Sequence, residues 1–370
     1  MDPKSEQSRI VKLVRCARQV RSTVSPIYKT LYIEYLLKSI VPRSAPNLMT
    51  LSKSNKNRLL LECSVENYNV WIRDLLRSKN SPYPNCRDKN ERTPLIIACI
   101  KRNYNTVRDL ADYSAVDVTC VDKYGMSAFA YCCILGYTEI AKLLYDTRGV
   151  LVNSIDNNKR SPLMLAVINS RIDTVKFLLG IETIQLELED ANGSNVIHLA
   201  CKQTSPEITK WVLQKLPSCS EADTTSDLPS PNIYIQMINT LNNMGDCPIS
   251  LISQKGDVES LDLLLERGAK VNTTNSKGLT ALMYACDQGN CEIVEKLLNV
   301  RDIAVNNVTK RRKWTALMFA CRKGCKESVS LLLKHDCIDV TIENDLKMTA
   351  IDIAVKNGYH DICRLFESRL

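Results

Sequence analysis

The run Thr280–Ala285 reads Thr-Ala-Leu-Met-Tyr-Ala. It returns 35 residues later as Thr315–Ala320, Thr-Ala-Leu-Met-Phe-Ala, and after 34 more as Thr349–Ala354, Thr-Ala-Ile-Asp-Ile-Ala. A single globular core has no reason to repeat a phrase at fixed spacing, whereas a stack of like units has. The same frame fits Cys247–Ile252, Asn195–Ala200, Ser161–Ala166, Ser127–Cys132, Thr93–Ala98 and, less well, Arg58–Cys63. Successive starts at 58, 93, 127, 161, 195, 247, 280, 315 and 349 are separated by 35, 34, 34, 34, 52, 33, 35 and 34. Nine units and one insertion account for most of the 370 residues.

Each recurring residue type has a physical task. Thr or Ser in the first place caps a helix through its hydroxyl, and Pro94, Pro162 and Pro248 in the second waste no N–H in the first turn. Leu95, Leu163, Leu282 and Leu317 in the third place face an interior. The small residue five places after the start lets a second helix come close. Nine places after the start stands Gly136, Gly256, Gly289, Gly324 or Gly358, suited to the left-handed conformation that ends a helix. A second amphipathic run follows, as in Glu292–Leu298. Asp, Asn and Gly then make a turn into the next unit, at Asp122 to Gly125, Asp190 to Gly193 and Asn275 to Gly278.

This pattern resembles the ankyrin repeat, Thr-Pro-Leu-His-x-Ala at a period near 33. The resemblance covers residues 58 to 370 in nine registered copies. No copy carries the full Thr-Pro-Leu-His: Thr93-Pro-Leu-Ile lacks the His, and Asn195-Val-Ile-His198 keeps only the His. The tetratricopeptide, a helix pair of similar period, requires a Trp/Gly/Tyr/Pro signature that is missing. The resemblance implies an all-α ankyrin-repeat solenoid of about nine helix-turn-helix units joined by finger loops. Residues 1–57 are expected to form a basic helical cap or targeting segment, and residues 58–370 the repeat domain, with an inserted loop at 217–232.

Composition narrows the function. No run of eighteen apolar residues suggests a membrane span. Met1-Asp-Pro-Lys-Ser-Glu-Gln does not read as a secretory signal. A cytoplasmic setting is therefore expected, with a nuclear one also open. Of sixteen Cys, seven (Cys63, Cys99, Cys132, Cys133, Cys201, Cys286 and Cys321) fall on the small places of first helices. There a thiol serves as a small buried hydrophobe. No Cys-x-x-Cys occurs, so reduced thiols are expected rather than zinc or disulfides.

Residues 1–58 hold twelve Lys/Arg against three Asp/Glu, while the remainder is nearly balanced at 37 against 38. Charge so distributed concerns partners rather than fold. Ile10, Leu13, Val14, Ala17 and Val20 form an apolar stripe among Arg9, Lys12, Arg15, Arg18 and Arg21. Pro26 opens a second helical pattern from Ile27 to Ile40, and a polar linker runs to about Asn57. Two readings stand: a cap over the open end of the first unit, or a basic helix lying on a membrane surface or partner through residues 1–40. Nucleic acid is not expected. The stretch from Leu216 to Leu241, polar and broken by Pro, is expected to be an exposed loop.

Catalytic chemistry finds little support. No two Gly lie closer than ten residues, which excludes a Gly-rich phosphate loop. His198 sits at the family's His place and is expected to be a structural hydrogen-bonding residue. His335, Cys337, His360 and Cys363 in the last two units offer a conceivable ligand set, but no metal and no cofactor is expected. The chain reads as non-enzymatic. What remains is recognition of a protein or peptide, by a chain that is monomeric on its own.

In the family, partners lie along the concave side formed by turn tips and first helices. Transferred by register, the expected contacts are Tyr124, Met126, Ile134, Leu135, Leu279, Trp314, Arg322, Lys323 and Met348. Tyr124, Met126, Trp314 and Met348 are expected to be exposed, with Trp314 a binding anchor in a basic rim suited to an acidic partner. Lys310, Arg311, Arg312 and Lys313 form a basic run that is a candidate nuclear-import signal or anion patch. Asn272 and Asn306 occupy places that an asparaginyl oxygenase hydroxylates in ankyrin proteins.

Overall fold

A computed structural model of the chain describes residues 53–78, 81–147, 149–203, 205–216 and 231–367. The repeating first residue does what its hydroxyl allows. Thr93, Ser127, Ser161, Thr280 and Thr315 each accept the amide of the residue three places on, at 3.1–3.3 Å. Thr349 accepts the Asp352 amide at 3.5 Å, and Asn195 accepts those of Ile197 and His198. These bonds satisfy N–H groups that the helix cannot satisfy itself.

Each cap opens a helix-turn-helix pair. In chain order they are α1 (Lys53–Glu66) with α2 (Asn69–Arg77), α3 (Pro94–Ile100) with α4 (Tyr104–Ala111), and α5 (Ala128–Leu135) with α6 (Thr138–Tyr145). Then come α7 (Pro162–Ile168) with α8 (Ile172–Leu179) and α9 (Val196–Lys202) with α10 (Pro206–Gln214). A supernumerary α11 (Pro231–Asn239) precedes α12 (Pro248–Lys255) with α13 (Val258–Glu266) and α14 (Ala281–Gln288) with α15 (Cys291–Leu298). The last are α16 (Ala316–Lys323) with α17 (Lys326–Lys334) and α18 (Ala350–Lys356) with α19 (His360–Glu367).

The turn inside each pair needs a left-handed residue nine places after the start. Gly136, Gly256, Gly289, Gly324 and Gly358 supply it, and so do Asn67, Arg102 and Ser170, with φ of 63°, 59° and 53°. The backbone demand is constant even where Gly is absent.

First helices stack on first helices and second on second, and one continuous core runs through all units. The seven small-place cysteines are all buried free thiols, wedged where a larger side chain would force the helices apart. Among the described residues there is no β-strand beyond one bridge between Val121 and Ser127, and no helix long and apolar enough to cross a membrane.

Two expectations change. The linker expected up to Asn57 is helical from Lys53, so α1 is twice the length of most first helices; residues 1–52 lie outside the described residues. The stretch from Leu216 to Leu241, expected as an exposed loop, contains α11, and Leu216, Met237 and Ile238 are buried in the core. The Ser- and Pro-rich residues before it obscured an apolar run, Ile233-Tyr-Ile-Gln-Met-Ile238, long enough for a helix. Residues 217–230 lie outside the described residues.

Candidate finger and first-helix interface

Between units the chain makes a tight finger, anchored by one side chain. Asp88, Asp122, Asp156, Asp190, Asn242, Asn275 and Asn344 stand five places before a start. Each accepts through Oδ1 the amides two and four residues ahead, at 2.8–3.0 Å. An Asx turn of this kind mimics a backbone turn and fixes its width. The residue two before the start is left-handed: Gly125, Gly193, Gly245 and Gly278, but also Glu91, Lys159, Lys313 and Lys347.

The eighth finger differs. Thr309 replaces the Asx residue, and its hydroxyl accepts the Trp314 amide five residues on at 2.9 Å. The additional residue lies in Lys310–Lys313, which accounts for the 35-residue interval before Thr315. All four cations of this run are exposed.

Neighbouring fingers bond tip to tip. Lys123, Asn157, Ala191 and Asn243 donate their amides to the carbonyls of Asn90, Tyr124, Asn158 and Asn192, at 2.9–3.2 Å. Lys310 and Asp345 donate to Lys277 and Arg312 in the same way, and Ser276 reaches Met244 O through its hydroxyl at 3.2 Å. The ladder crosses the insertion without a break, so the fingers form one registered row.

Behind the fingers a second set of side chains ties unit to unit. Asn272 donates to Asp302 O and accepts the Ala304 amide, both at 2.8 Å. Asn306 does the same with Cys337 O at 2.7 Å and the Asp339 amide at 2.9 Å. Asn85, Asn153 and Asn239 repeat this staple elsewhere. Both ends of each amide are therefore occupied.

The nominated contact residues divide. Tyr124 is 56% exposed at a fingertip, with Lys123 Nζ 4.9 Å from its ring centre. Arg322 and Lys323 are exposed, and Ile134 and Leu135 are half-buried at the end of α5. Leu279 and Met348 are half-buried and pack on the core, so Met348 is not freely exposed.

Met126 and Trp314 correct the expectation of exposure. Met126 is 6% exposed, packed with Ala130 and Leu165. Trp314 is 9% exposed, its ring centre 5.3 Å from that of Phe319. Arg322 covers both rings, at 4.9 and 5.0 Å, and pairs with Asp287. The cause is the finger itself. The residue before the start must return its N–H to the anchor, which turns its side chain back onto the first helix.

The exposed place lies two residues earlier. There stand Tyr124, Met244 and Leu346, the latter two 67% and 64% exposed. Met244 and Leu346 were missed, although all three lie three residues before a start. The shared spacing is the signal in the sequence that marks this place.

Electrostatics settle the finger roots. Arg92 and Arg160 fold back on Asp88 and Asp156 at 2.7 Å. Burial pushes the Asp88 carboxyl up, but the Arg92 bonds and backbone amides outweigh it and hold it below its ordinary value. Where Met126 replaces Arg, the Tyr131 hydroxyl donates to Asp122 at 2.7 Å. Burial and that carboxylate raise the Tyr131 phenol, and burial with Asp246 takes Tyr284 up to about 12.

His198 hydrogen-bonds Asn195 Oδ1 at 2.8 Å and Thr240 O at 2.9 Å, tying α9 to the chain leaving α11. Burial lowers its pKa against the pull of nearby carbonyls. Among the described residues no group of three or more His, Cys, Asp or Glu is placed to hold a metal.

The residue seven places after each start lines the first helices in one row. It reads Val65, Ile100, Ile134, Ile168, Lys202, Gln254, Asp287, Arg322, Lys356. The three Ile are half-buried and the three cations exposed. One half of the face is apolar and the other is polar, with three cations, one carboxylate and one amide.

The family model for ankyrin repeats in three copies matches residues 59–156, 148–226 and 302–368, and that for ankyrin repeats in many copies matches 264–320. The chain is similar to Ankyrin repeat protein nuc-2 of Neurospora crassa, 24% identical over 57% of this chain and 21% of that protein. It is 27% identical to the Nuclear factor NF-kappa-B p105 subunit of Gallus gallus, over 34% of this chain and 11% of that one. With B-cell lymphoma 3 protein homolog of Mus musculus it shares 28% over 39% of this chain and 29% of the relative. The matched region spans less than a third of each of these relatives.

Proposed function

This chain belongs to the ankyrin-repeat family, and from that premise we propose that it is a non-enzymatic scaffold binding a protein or peptide along its fingers and first helices. Ankyrin repeats generally mediate protein–protein interaction. The observation that carries the groove is the row seven places after each start, apolar over Ile100, Ile134 and Ile168 and cationic at Lys202, Arg322 and Lys356. A partner suited to it places apolar side chains against the first half and carboxylates at Lys202 and Lys356, Arg322 being paired with Asp287. Tyr124, Met244 and Leu346 at the fingertips add the large exposed side chains from which interface contacts are built. The tip-to-tip ladder holds them in register, so little ordering cost falls on the scaffold when it binds.

The test is site-specific photo-crosslinking in cells, with the probe at Tyr124, Ile134 or Lys356 and, as control, at exposed Lys334 on α17. Partners captured from the first three sites and not from Lys334 support the groove. Capture mainly from Lys334 would move the interface to the second helices and sink this reading.

A second reading, an adaptor directed to the nucleus, is favoured by the lengthened eighth finger that presents Lys310, Arg311, Arg312 and Lys313 to solvent. Replacing the four by Ala should then deplete the nuclear pool. An unchanged distribution would leave these cations to the groove.

A further inference from the structure

Four cysteines gather where the seventh and eighth units meet. Cys286 and Cys321 are fully buried on the first helices α14 and α16. Cys291 opens α15 and Cys325 is the N-cap of α17, both half-buried at the solvent side. In no other unit does Cys stand at either of the latter two places. The Cys291 and Cys325 Sγ atoms are 3.1 Å apart, and Ser328 Oγ lies 3.3 Å from the first and 3.2 Å from the second. Two thiols from separate units, brought together beside a hydroxyl at a helix N-terminus, are more than substitutes for Ala.

We propose that Cys291 and Cys325 form a peroxide-responsive dithiol that closes to a disulfide joining the seventh and eighth units. The two sulfurs have unequal roles. Burial pushes the Cys325 thiol up, but hydrogen bonds from Ser328, Cys291 and the Glu327 amide outweigh it and hold it below its ordinary value. Burial raises Cys291 to about 11, with the adjoining Cys325 and Glu327 adding to it and Ser328 opposing. Cys325, the N-cap of α17 with Ser328 Oγ 3.2 Å from its sulfur, is therefore the attacking thiolate and Cys291 the resolving thiol.

The Cys325 thiolate attacks one oxygen of hydrogen peroxide. The O–O bond breaks, and the departing hydroxide takes a proton to leave as water, giving a sulfenic acid. Cys291 then attacks the sulfenic sulfur, the S–O bond breaks, and a second water leaves with the Cys291 proton. Two thiols have been oxidised by one peroxide, which is reduced to two waters. The sulfurs need to close by only about 1 Å to reach bonding distance. A thiol reductant reopens the bond by exchange. Cys286, raised well above its ordinary value by burial, stays a thiol.

The full chain is treated with one equivalent of hydrogen peroxide, blocked with N-ethylmaleimide, cut with trypsin and analysed by mass spectrometry. The expected product is peptide 278–296 joined to peptide 324–326, lost on dithiothreitol treatment. It should persist in Cys286→Ser and vanish in Cys291→Ser and Cys325→Ser. In Cys291→Ser, dimedone should label Cys325 as the trapped sulfenic acid. A linked peptide that disappears in Cys286→Ser would overturn the assignment. So would dimedone labelling of Cys291 in Cys325→Ser, or full alkylation of both thiols after peroxide in a wild-type chain shown folded by circular dichroism.

Discussion

Trp314 shows how far a single position departs from its register. Its ring packs beside Phe319 with the Arg322 guanidinium over both, at 9% exposure, so truncation opens a cavity and strips the cation of part of its platform. Trp314→Ala should cost about 3–5 kcal/mol in chemical denaturation; a loss below about 1 kcal/mol would mean the ring is dispensable to the stack. His198 makes a second prediction. Its pKa is lowered in the fold by burial, so as pH falls the unfolded chain takes up the proton first. The stability it contributes is whole above the unfolded value of about 6.5 and drains away below it. Between pH 7 and pH 5 the parent should therefore lose more stability than His198→Gln, and equal losses would show that the ring does not report through folding. Caps, small places and the left-handed residue were legible because each depends on one residue's own backbone chemistry. The inward turn of Met126 and Trp314 was not, because the finger anchor four or five residues earlier decides it.

At the scale of the element, the finger is the unit that repeats most faithfully. An Asx anchor needs two things: amides for Oδ1, which all seven such fingers provide, and a partner for the other side-chain atom. Arg92, Arg160 and Tyr131 supply that partner to Asp88, Asp156 and Asp122, and Tyr284 receives Asn275 Nδ2 at 2.8 Å. In the last finger Asn344 Nδ2 is buried without one, because Ile353 occupies the place of Tyr131 and Tyr284. Ile353→Tyr should restore it and add about 1 kcal/mol, read as a higher denaturation midpoint in α18 and α19. A lower midpoint would show that ring volume outweighs the hydrogen bond. Helix α11 is the element the sequence hid. Its apolar run has no place in the repeat frame, and only the hydrogen bonds of Met237 to Asn195 at the start of α9 and of Thr240, just past its end, to His198 reveal its role. Ile238→Ala, a core truncation there, should cost about 2–5 kcal/mol, whereas substitution of Ser by Ala within 217–230 tests whether those residues contribute to stability at all.

Across the whole molecule, order is transmitted only between neighbours. First helix meets first helix, second meets second, and the finger and Asn ladders each reach one unit on. Among the described residues nothing ties the second unit to the eighth except the units between them, so stability is a sum of unit and junction terms rather than one cooperative core. Leu317 is buried in the first turn of α16, and Leu317→Ala removes contacts from the eighth unit and its two junctions. The expected loss is about 2–5 kcal/mol, confined to α14 through α19. Hydrogen exchange should show protection falling there first, while α3 through α8 keep theirs. The proposed disulfide between Cys291 and Cys325 crosses the junction of the seventh and eighth units, so the oxidised chain should resist this local opening more than the reduced one. Protection lost evenly from α1 to α19 would mean that the stack melts as a single body, and that a contact at one end is felt at the other.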